Sequence, residues 1–438
     1  MTLLADLLST VFERRYRLGG GANTDDRPIQ DLTVALIGAT GEVSGLTVAR
    51  QILDRYQGWD DRDKRAFYQH LAQDMTISPS AVRAALDNYE LGQNKASYRA
   101  FLRAVEPPRQ ELIRRLNQVP GATHVLVEMR KDLLRIGQDD PELQALDLDF
   151  RHLLASWFNR GFLVLRPINW QSPAHVLEKI IAYEAVHAIG NWPELRRRVE
   201  PVDRRCFAYF HPAMPDEPLI FVEVALTKGI PGSIQDLLAD NRSQIAADQS
   251  DTAVFYSISN CQAGLAGISF GNSLIKQVVA DLSIELPQLK TFVTLSPIPG
   301  LREWITKSQP EPIDDDGWRA SAAQYLMSAK RDDGLPLDPV ARFHLGNGAL
   351  IHQVHADADT SEKGLQQSGG VMVNYLYNPQ KVLQNHERFA SSHHIAASQQ
   401  IRSLAAIAEK AVPEDQKTCP TRFTISCSGS LPGRRPRF

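Results

Sequence analysis

The chain has 438 residues, which is enough for two or more domains with a sizeable core. Hydrophobic residues make up 43% and charged residues 23% of the chain, as in ordinary globular proteins, and no apolar run reaches the roughly 18 residues of a membrane span. The net charge of −3 gives no general basic surface, so we expect neither a nucleic-acid nor a membrane partner.

The first residues do not resemble a targeting signal. Met1–Gly20 has no basic stretch ahead of an apolar core, and we expect residues 1–29 to form a flexible N-terminal segment. The chain ends in Pro-Arg-Phe, which is not a peroxisomal address. Four cysteines without a CxxC pair make no disulfide framework, so the sequence favours a reducing, cytoplasmic location.

Residues 30–158 are predicted to form a helical domain. Apolar residues recur there at three- and four-residue spacing, and Ser78-Pro79 and Asp140-Pro141 are typical helix starts. The predicted helices are Thr47–Tyr56, Arg62–Met75, Ser78–Tyr89, Ala96–Val105, Gln110–Val119 and Thr123–Leu134.

One stretch of this helical part imitates a nucleotide-binding motif. Asp31–Gly45 resembles the opening strand and glycine loop of a dinucleotide-binding fold. Such a fold needs a second strand that ends on an acidic residue, whereas helical patterns follow Arg50. We therefore expect a turn between helices here, and no cofactor.

From residue 159 to 416 strands alternate with helices, which predicts a mixed α/β domain and an α+β multidomain protein overall. Ser172 is predicted to cap the first helix. We expect a long terminal helical region at Asn385–Val412 and a mobile tail at residues 417–438. The predicted strands are Phe162–Pro167, Cys206–His211, Leu219–Thr227, Thr252–Ser259, Thr291–Leu295, Ala349–His355 and Gly370–Tyr377.

The stretch Asp251–Gly300 combines a strand, a glycine-bearing loop, a helix and a second strand. Gly264, Gly267 and Gly271 allow a close approach of the backbone to a ligand, and Asn272 is a good N-cap for the helix. Free N–H groups and the helix dipole would then meet at one point, as in a phosphate-binding cradle. An ordinary glycine-rich turn fits the same residues.

Several motifs in consistent order resemble the malonyl-CoA decarboxylase family. They run from about Ala145 to Tyr377, and the resemblance is weaker in the helical part. The motifs are SWFNRGFL, EAVHxxxNW, RRRV, FYSIS, QxGLxG, GxxLIKxVV, LSPIPG and DPVARFHLGNGA. The resemblance implies an acetyltransferase-like (GNAT) fold for the mixed domain, and a homo-oligomer, either a dimer or a tetramer.

The resemblance also implies the site residues. The serine of LSPIPG is Ser296, the implied proton acceptor, and the histidine of FHLxNG is His344, the implied proton donor. The implied acyl-CoA-binding segment comprises Ala266, Gly267, Ile268, Ser269, Phe270, Gly271 and Asn272. Ser269 occupies a position that is glutamate in some members. From the residues alone, Ser296 would be a turn serine and His344 a buried structural histidine.

The implied reaction converts malonyl-CoA to acetyl-CoA and carbon dioxide, in fatty acid and malonate metabolism. The thioester carbonyl accepts the electron pair of the broken C–C bond, so the chemistry requires no metal, biotin or pyridoxal, and we expect no metal site. The protein must stabilise the enolate and protonate its α-carbon. An acyl-CoA-dependent acyltransferase and a non-catalytic acyl-CoA sensor remain alternatives that use the same cradle.

Overall fold

The computed structural model describes residues 26–268, 274–308 and 314–411. Its first part, up to Trp157, is helical, as predicted. The helices are α1 Ile29–Gly38, α2 Glu42–Gly58, α3 Asp61–Gln73, α4 Pro79–Leu91, α5 Lys95–Val105, α6 Pro108–Leu116, α7 Ala122–Ile136 and α8 Pro141–Trp157.

The expected capping residues start several of these helices. The Ser78 side chain accepts a hydrogen bond from the N–H of Ala81, and Asp140 accepts from Glu142, with a proline at the first helical position in both cases. The apolar faces of the helices share one core, to which Leu112 and Phe150 contribute. The stretch that imitates a dinucleotide-binding strand is α1 and the turn before α2, as predicted.

The hairpin of α4 and α5 differs from the other helices because it adds almost nothing to this core. No residue of α4 is buried, and Ser97 is the buried residue of α5. Large apolar side chains lie on the surface of the hairpin: Leu91 is 90% exposed, Tyr98 50% and Leu102 46%. The hairpin therefore presents an apolar surface to the outside of this chain.

The second part is the predicted mixed α/β region, which confirms the α+β fold class. All seven predicted strands are present, with boundaries shifted by up to five residues. The strands are β1 Val164–Ile168, β2 Arg204–His211, β3 Met214–Thr227, β4 Thr252–Asn260, β5 Thr291–Thr294, β6 Ser296–Pro297, β7 Leu350–His355 and β8 Met372–Leu376.

The strands form one sheet in the order β1-β2-β3-β4-β5-β8-β6, with β7 also paired to β8. β1 to β4 are antiparallel neighbours, whereas β4 and β5 are parallel. The parallel pairing ends at Phe255 and Thr294, although β4 continues to Asn260. β5 ends at this point, and a cleft opens between the rest of β4 and β6.

The helices of this region cover both faces of the sheet. Val127 of α7 belongs to the same buried cluster as the sheet residues, so the core continues between the helical and mixed regions. The helices are α9 Ala174–Tyr183, α10 Trp192–Val199, α11 Ile234–Leu238, α12 Leu274–Glu285, α13 Leu301–Ser308, α14 Asp315–Ser328, α15 Pro339–Gly346, α16 Glu362–Ser368, α17 Val382–Ser392 and α18 Gln399–Ala411.

Two local predictions were wrong. The terminal helical region is divided into α17 and α18, because His393 adopts the left-handed conformation (φ 53°) that ends a helix. Ser172 does not cap α9, since its hydroxyl accepts a hydrogen bond from the N–H of Asn169 and Pro173 occupies the cap position. Among the described residues, no helix has the length and apolar character needed to cross a bilayer.

Candidate active site

The cleft between β4, β6 and α15 has a volume of about 230 Å³. It contains both residues that the sequence motifs selected as the catalytic pair. Its lining consists of Val186, Phe255, Tyr256, Ile258, Asn260, Ser296, Pro297, Pro339, Val340, Phe343 and His344. Most of these side chains are apolar, so the few polar groups of the cleft lie in a poorly hydrated environment.

Ser296 lies at the base of the cleft, at the start of β6, and a single residue separates it from the end of β5. Its backbone pairs with Val373 of β8, and the residue is 6% exposed. The Ser296 hydroxyl donates a hydrogen bond to Thr294 Oγ1 at 2.8 Å. Thr294 Oγ1 also accepts from the N–H of Tyr375 at 3.1 Å, so β8 fixes the group to which the serine hydroxyl donates.

His344 approaches the serine from the last turn of α15. That helix begins with Asp338 as its cap and Pro339 at its first position. The His344 ring is buried and stacks on Tyr375, with ring centroids 4.5 Å apart. Its Nε2 lies 3.3 Å from Ser296 Oγ. Burial lowers the pKa of His344 to about 3, so the imidazole is neutral near pH 7.

Tyr377 fixes which nitrogen of His344 carries the proton. The Tyr377 hydroxyl lies 2.8 Å from His344 Nδ1, and burial raises its pKa, so it remains protonated. Among the described residues this nitrogen is its hydrogen-bond partner, and a buried hydroxyl that donates to nothing would be costly. Tyr377 therefore donates to Nδ1, and the imidazole hydrogen lies on Nε2 and faces Ser296.

The sequence carries no signal for the role of Tyr377. The residue is at the end of the last predicted strand, 33 residues from His344, and no motif contains both residues. A buried histidine needs a hydrogen-bond partner for its second nitrogen, so some partner of His344 can be expected. The sequence does not identify which of its many polar residues supplies that partner.

A buried carboxylate holds the loop at another wall of the cleft. Glu184 Oε1 accepts hydrogen bonds from the N–H groups of Val186 and His187, each at 2.8 Å. The Ser257 hydroxyl of β4 donates to the same carboxylate. Glu184 therefore joins this loop to β4, and it positions Val186 in the cleft.

The predicted acyl-CoA-binding segment is described only in part, since Ser269, Phe270, Gly271 and Asn272 lie outside the described residues. Ala266, Gly267 and Ile268 follow β4, and none of the three lines the cleft itself. Gly267 has a φ of +74°, a conformation that favours glycine. Arg130 Nη1 of α7 donates to the carbonyls of Gly264 and Ala266, so the helical region holds this segment.

The arginine-rich stretches Arg196–Arg198 and Arg204-Arg205 do not line this cleft. Arg196 pairs with Glu200 and Arg205 with Glu285, both on the surface. Arg197, Arg198 and Arg204 line a second cavity. In the described part of the chain, no group of three or more His, Cys, Asp or Glu side chains is placed to hold a metal ion.

The motifs and this geometry agree with a comparison against known families. The model of the malonyl-CoA decarboxylase C-terminal domain matches residues 161–316 and 315–417, and that of the N-terminal domain matches residues 76–158. The chain belongs to the malonyl-CoA decarboxylase family. It is therefore a member of a family of carboxy-lyases.

Comparisons with individual proteins also support membership of the malonyl-CoA decarboxylase family. The chain is 36% identical to the mitochondrial malonyl-CoA decarboxylase of Anser anser anser, over 68% of this chain and 70% of that protein. The identity to the corresponding Mus musculus protein is 35%, over 69% and 72%. The described structure resembles crystal structures of malonyl-CoA decarboxylases from Rhodopseudomonas palustris (45% identity) and Agrobacterium vitis (46%). The TM-score is 0.81 for both, and the matches cover 86% of this chain and 98% or 99% of theirs.

Proposed function

We propose that this chain converts malonyl-CoA to acetyl-CoA and carbon dioxide through a thioester enolate, with Ser296 and His344 at the reacting carbon. One observation carries the assignment of these residues. A neutral histidine with its hydrogen on Nε2 faces a serine hydroxyl 3.3 Å away, at the base of a largely apolar cleft. The resemblance of the motifs implied His344 as the proton donor as well, whereas it implied Ser296 as a proton acceptor and we propose Ser296 as a hydrogen-bond donor. As the resemblance implied, malonyl-CoA would come from fatty acid and malonate metabolism.

The reaction consumes one proton, and His344 is the group that can supply it. Loss of carbon dioxide leaves its bonding electron pair on the α-carbon, and this pair delocalises into the thioester carbonyl. The malonyl carboxylate next to His344 favours the charged imidazole, so substrate binding brings a proton to the ring. This second proton occupies Nδ1, and the hydrogen bond to Tyr377 then reverses so that the Tyr377 hydroxyl accepts it. As the negative charge moves to the enolate, Nε2 gives the hydrogen that it already carried to the α-carbon, and the ring is left neutral with its hydrogen on Nδ1.

The other residues of the cleft have binding and positioning roles. The Ser296 hydroxyl can donate a hydrogen bond to the enolate oxygen, in exchange for its bond to Thr294. Phe255, Ile258 and Phe343 exclude water from the carboxylate, which weakens its solvation before carbon dioxide leaves. These roles need only the thioester as electron acceptor, and we propose that the reaction proceeds without metal or organic cofactor.

The direct test is to incubate the purified chain with malonyl-CoA, with no added metal, biotin or acyl acceptor. We expect equal amounts of carbon dioxide and acetyl-CoA, at a rate that a chelator does not change. Tight binding of malonyl-CoA without turnover would instead indicate an acyl-CoA sensor or an acyltransferase. Turnover that stops on chelation would refute the cofactor-free mechanism.

Exchange of Tyr377 for phenylalanine should lower kcat roughly tenfold, because it removes one hydrogen bond worth about 1.4 kcal/mol and releases the tautomer of His344. The KM for malonyl-CoA should change little, since Tyr377 does not line the cleft. Nitrogen chemical shifts of His344 should show both neutral tautomers in the variant. Tyr375→Phe is the matched control: the Tyr375 hydroxyl is buried and has no hydrogen-bond partner among the residues that the structure describes, so activity should remain within about twofold.

We further propose that the chain forms a homo-oligomer, a dimer or a tetramer, in which the hairpin of α4 and α5 takes part. The support is its exposed apolar surface, with Leu91, Tyr98 and Leu102. Leu102→Glu would place a charge on that surface, and we expect a smaller species in light scattering with the helical content retained. Ile284→Glu alters a residue of α12 that is even more exposed, at 80%, and should leave the mass unchanged. An unchanged mass for Leu102→Glu would exclude this surface.

A further inference from the structure

A second cavity, of about 260 Å³, lies between α10, the start of β2 and the segment that follows α11. Four of the ten residues around it are arginines. The lining consists of Glu194, Arg197, Arg198, Pro201, Arg204, Leu238, Ala239, Asp240, Arg242 and Gln244. None of these residues lines the cleft of Ser296 and His344.

Arg204 is a buried cation that shares its nearest carboxylate with a second arginine. Its side chain is 3% exposed, and it donates to the backbone carbonyls of Asp203 at 3.2 Å and Leu237 at 2.6 Å. Its carboxylate contact is Asp203 Oδ1 at 3.9 Å. The Asp203 carboxylate already binds both terminal nitrogens of Arg242. One buried carboxylate therefore serves two arginines.

Arg198 is the second buried cation of the cavity. Its Nη1 lies 3.1 Å from Glu223 Oε2, while Glu223 Oε1 has no hydrogen-bond partner in the described part of the chain. Burial, and then the negative charge of Glu184, raise the pKa of Glu223 to about 8. The carboxyl of Glu223 is therefore mostly protonated near pH 7, and it compensates the charge of Arg198 incompletely.

At the mouth of the cavity the charges are exposed to solvent. Arg197 Nε lies 2.9 Å from Asp240 Oδ1, and the two side chains are 44% and 73% exposed. An ion pair this exposed is worth little and opens readily. A ligand that enters from solvent would therefore meet a mobile Arg197 first, and the fixed guanidinium groups behind it.

We propose that this cavity binds a small oxyanion, either a phosphate or a carboxylate. Planar guanidinium groups bind such oxyanions through paired, charge-assisted hydrogen bonds, and a buried excess of positive charge is stabilised when an anion enters. The volume is below the roughly 300 Å³ at which pockets for larger organic ligands begin, so a small anion fits better than a whole nucleotide.

The cavity is connected to the active-site cleft through Arg198. Arg198 Nη2 donates to the carbonyl of Ala188 at 3.1 Å. Ala188 belongs to the loop that Glu184 holds, and Val186 of that loop lines the cleft. An anion next to Arg198 would fix the guanidinium and with it this loop. Binding in the cavity is therefore expected to reduce the mobility of one wall of the cleft.

Calorimetric titration of the whole chain with inorganic phosphate, and separately with free malonate, tests the proposal. We expect one of these anions to bind. Arg197→Gln should weaken its binding about threefold or more, since it removes one cation at the mouth. Asp240→Asn should tighten binding, because it removes a competing carboxylate, and a variant damaged in its fold would not gain affinity in this way.

Arg196→Gln is the matched control, because Arg196 is on the same helix, pairs with Glu200 and does not line the cavity. Its anion affinity should equal that of the unchanged chain. Absence of binding by both anions would overturn the proposal, and so would an equal loss in Arg196→Gln and Arg197→Gln.

The same variants distinguish a free anion from a phosphate group of CoA. For a free anion, Arg197→Gln lowers phosphate or malonate affinity while the KM for malonyl-CoA is unchanged. If the cavity receives a phosphate of the substrate, the KM rises together with the loss of anion affinity. The anion titration is independent of turnover, so its result stands even if the proposed decarboxylation fails its own test.

Discussion

Exchange of His344 for glutamine is expected to lower kcat for malonyl-CoA decarboxylation by roughly 10²- to 10⁴-fold, the usual contribution of a general acid. Glutamine retains a polar group of similar size, so it can still hydrogen-bond Ser296 and Tyr377, but it cannot deliver a proton to the enolate. The KM should change less than kcat, because the proton is needed after the substrate has bound. Steady-state kinetics with separate measurement of carbon dioxide and acetyl-CoA gives both values.

Ser296→Ala should reduce the same rate by a similar order of magnitude, since removal of one donor to a developing oxyanion typically costs roughly 10²- to 10³-fold. The double variant should be little worse than the worse single variant, because the two side chains act on one transition state. His352→Gln serves as the control, since this half-buried histidine lies outside the cleft. Near-normal turnover in either single variant would refute the assigned roles.

The sequence motifs identified this pair because each lies in its own short, recognisable signature. Ser296 and His344 are separated by 48 positions in the sequence. Their contact at 3.3 Å requires that the end of α15 packs next to β6, which pairs with β8. Tyr377 has no such signature. Its role depends on a 2.8 Å distance that only the packing of α15 against the end of β8 determines.

The strands were predictable for a similar reason, because their apolar patterns are local. The cleft was not, since it depends on where the parallel pairing of β4 and β5 stops, and a pattern of apolar residues carries no information on pairing partners. The break at His393 was missed because the apolar periodicity of α17 resumes in α18. A histidine in the left-handed conformation is uncommon, and propensity alone does not place it there.

Replacement of Arg130 by leucine should have a large effect on stability and on the KM, because Arg130 joins the helical region to the mixed region. The Arg130 side chain is 2% exposed and pairs with Asp147 at 2.7 Å. The same guanidinium donates to the carbonyls of Gly264 and Ala266, at the start of the proposed acyl-CoA-binding segment. Gly264 itself packs so closely on α7 that an added Cβ would lie 1.9 Å from the carbonyl oxygen of Val127.

Leucine would leave Asp147 unpaired and two loop carbonyls without their donor, so we expect the free energy of unfolding to fall by about 3 kcal/mol. The loop would also lose its anchor, and the KM for malonyl-CoA should rise several-fold, with a smaller change in kcat. Denaturant unfolding and steady-state kinetics measure the two effects separately.

Lys131→Leu is the control, because Lys131 is half exposed and pairs with Glu128 on the surface, so stability should change by less than about 0.5 kcal/mol. If Arg130→Leu lost stability while its KM stayed unchanged, Arg130 would join the two regions without positioning the loop for the substrate.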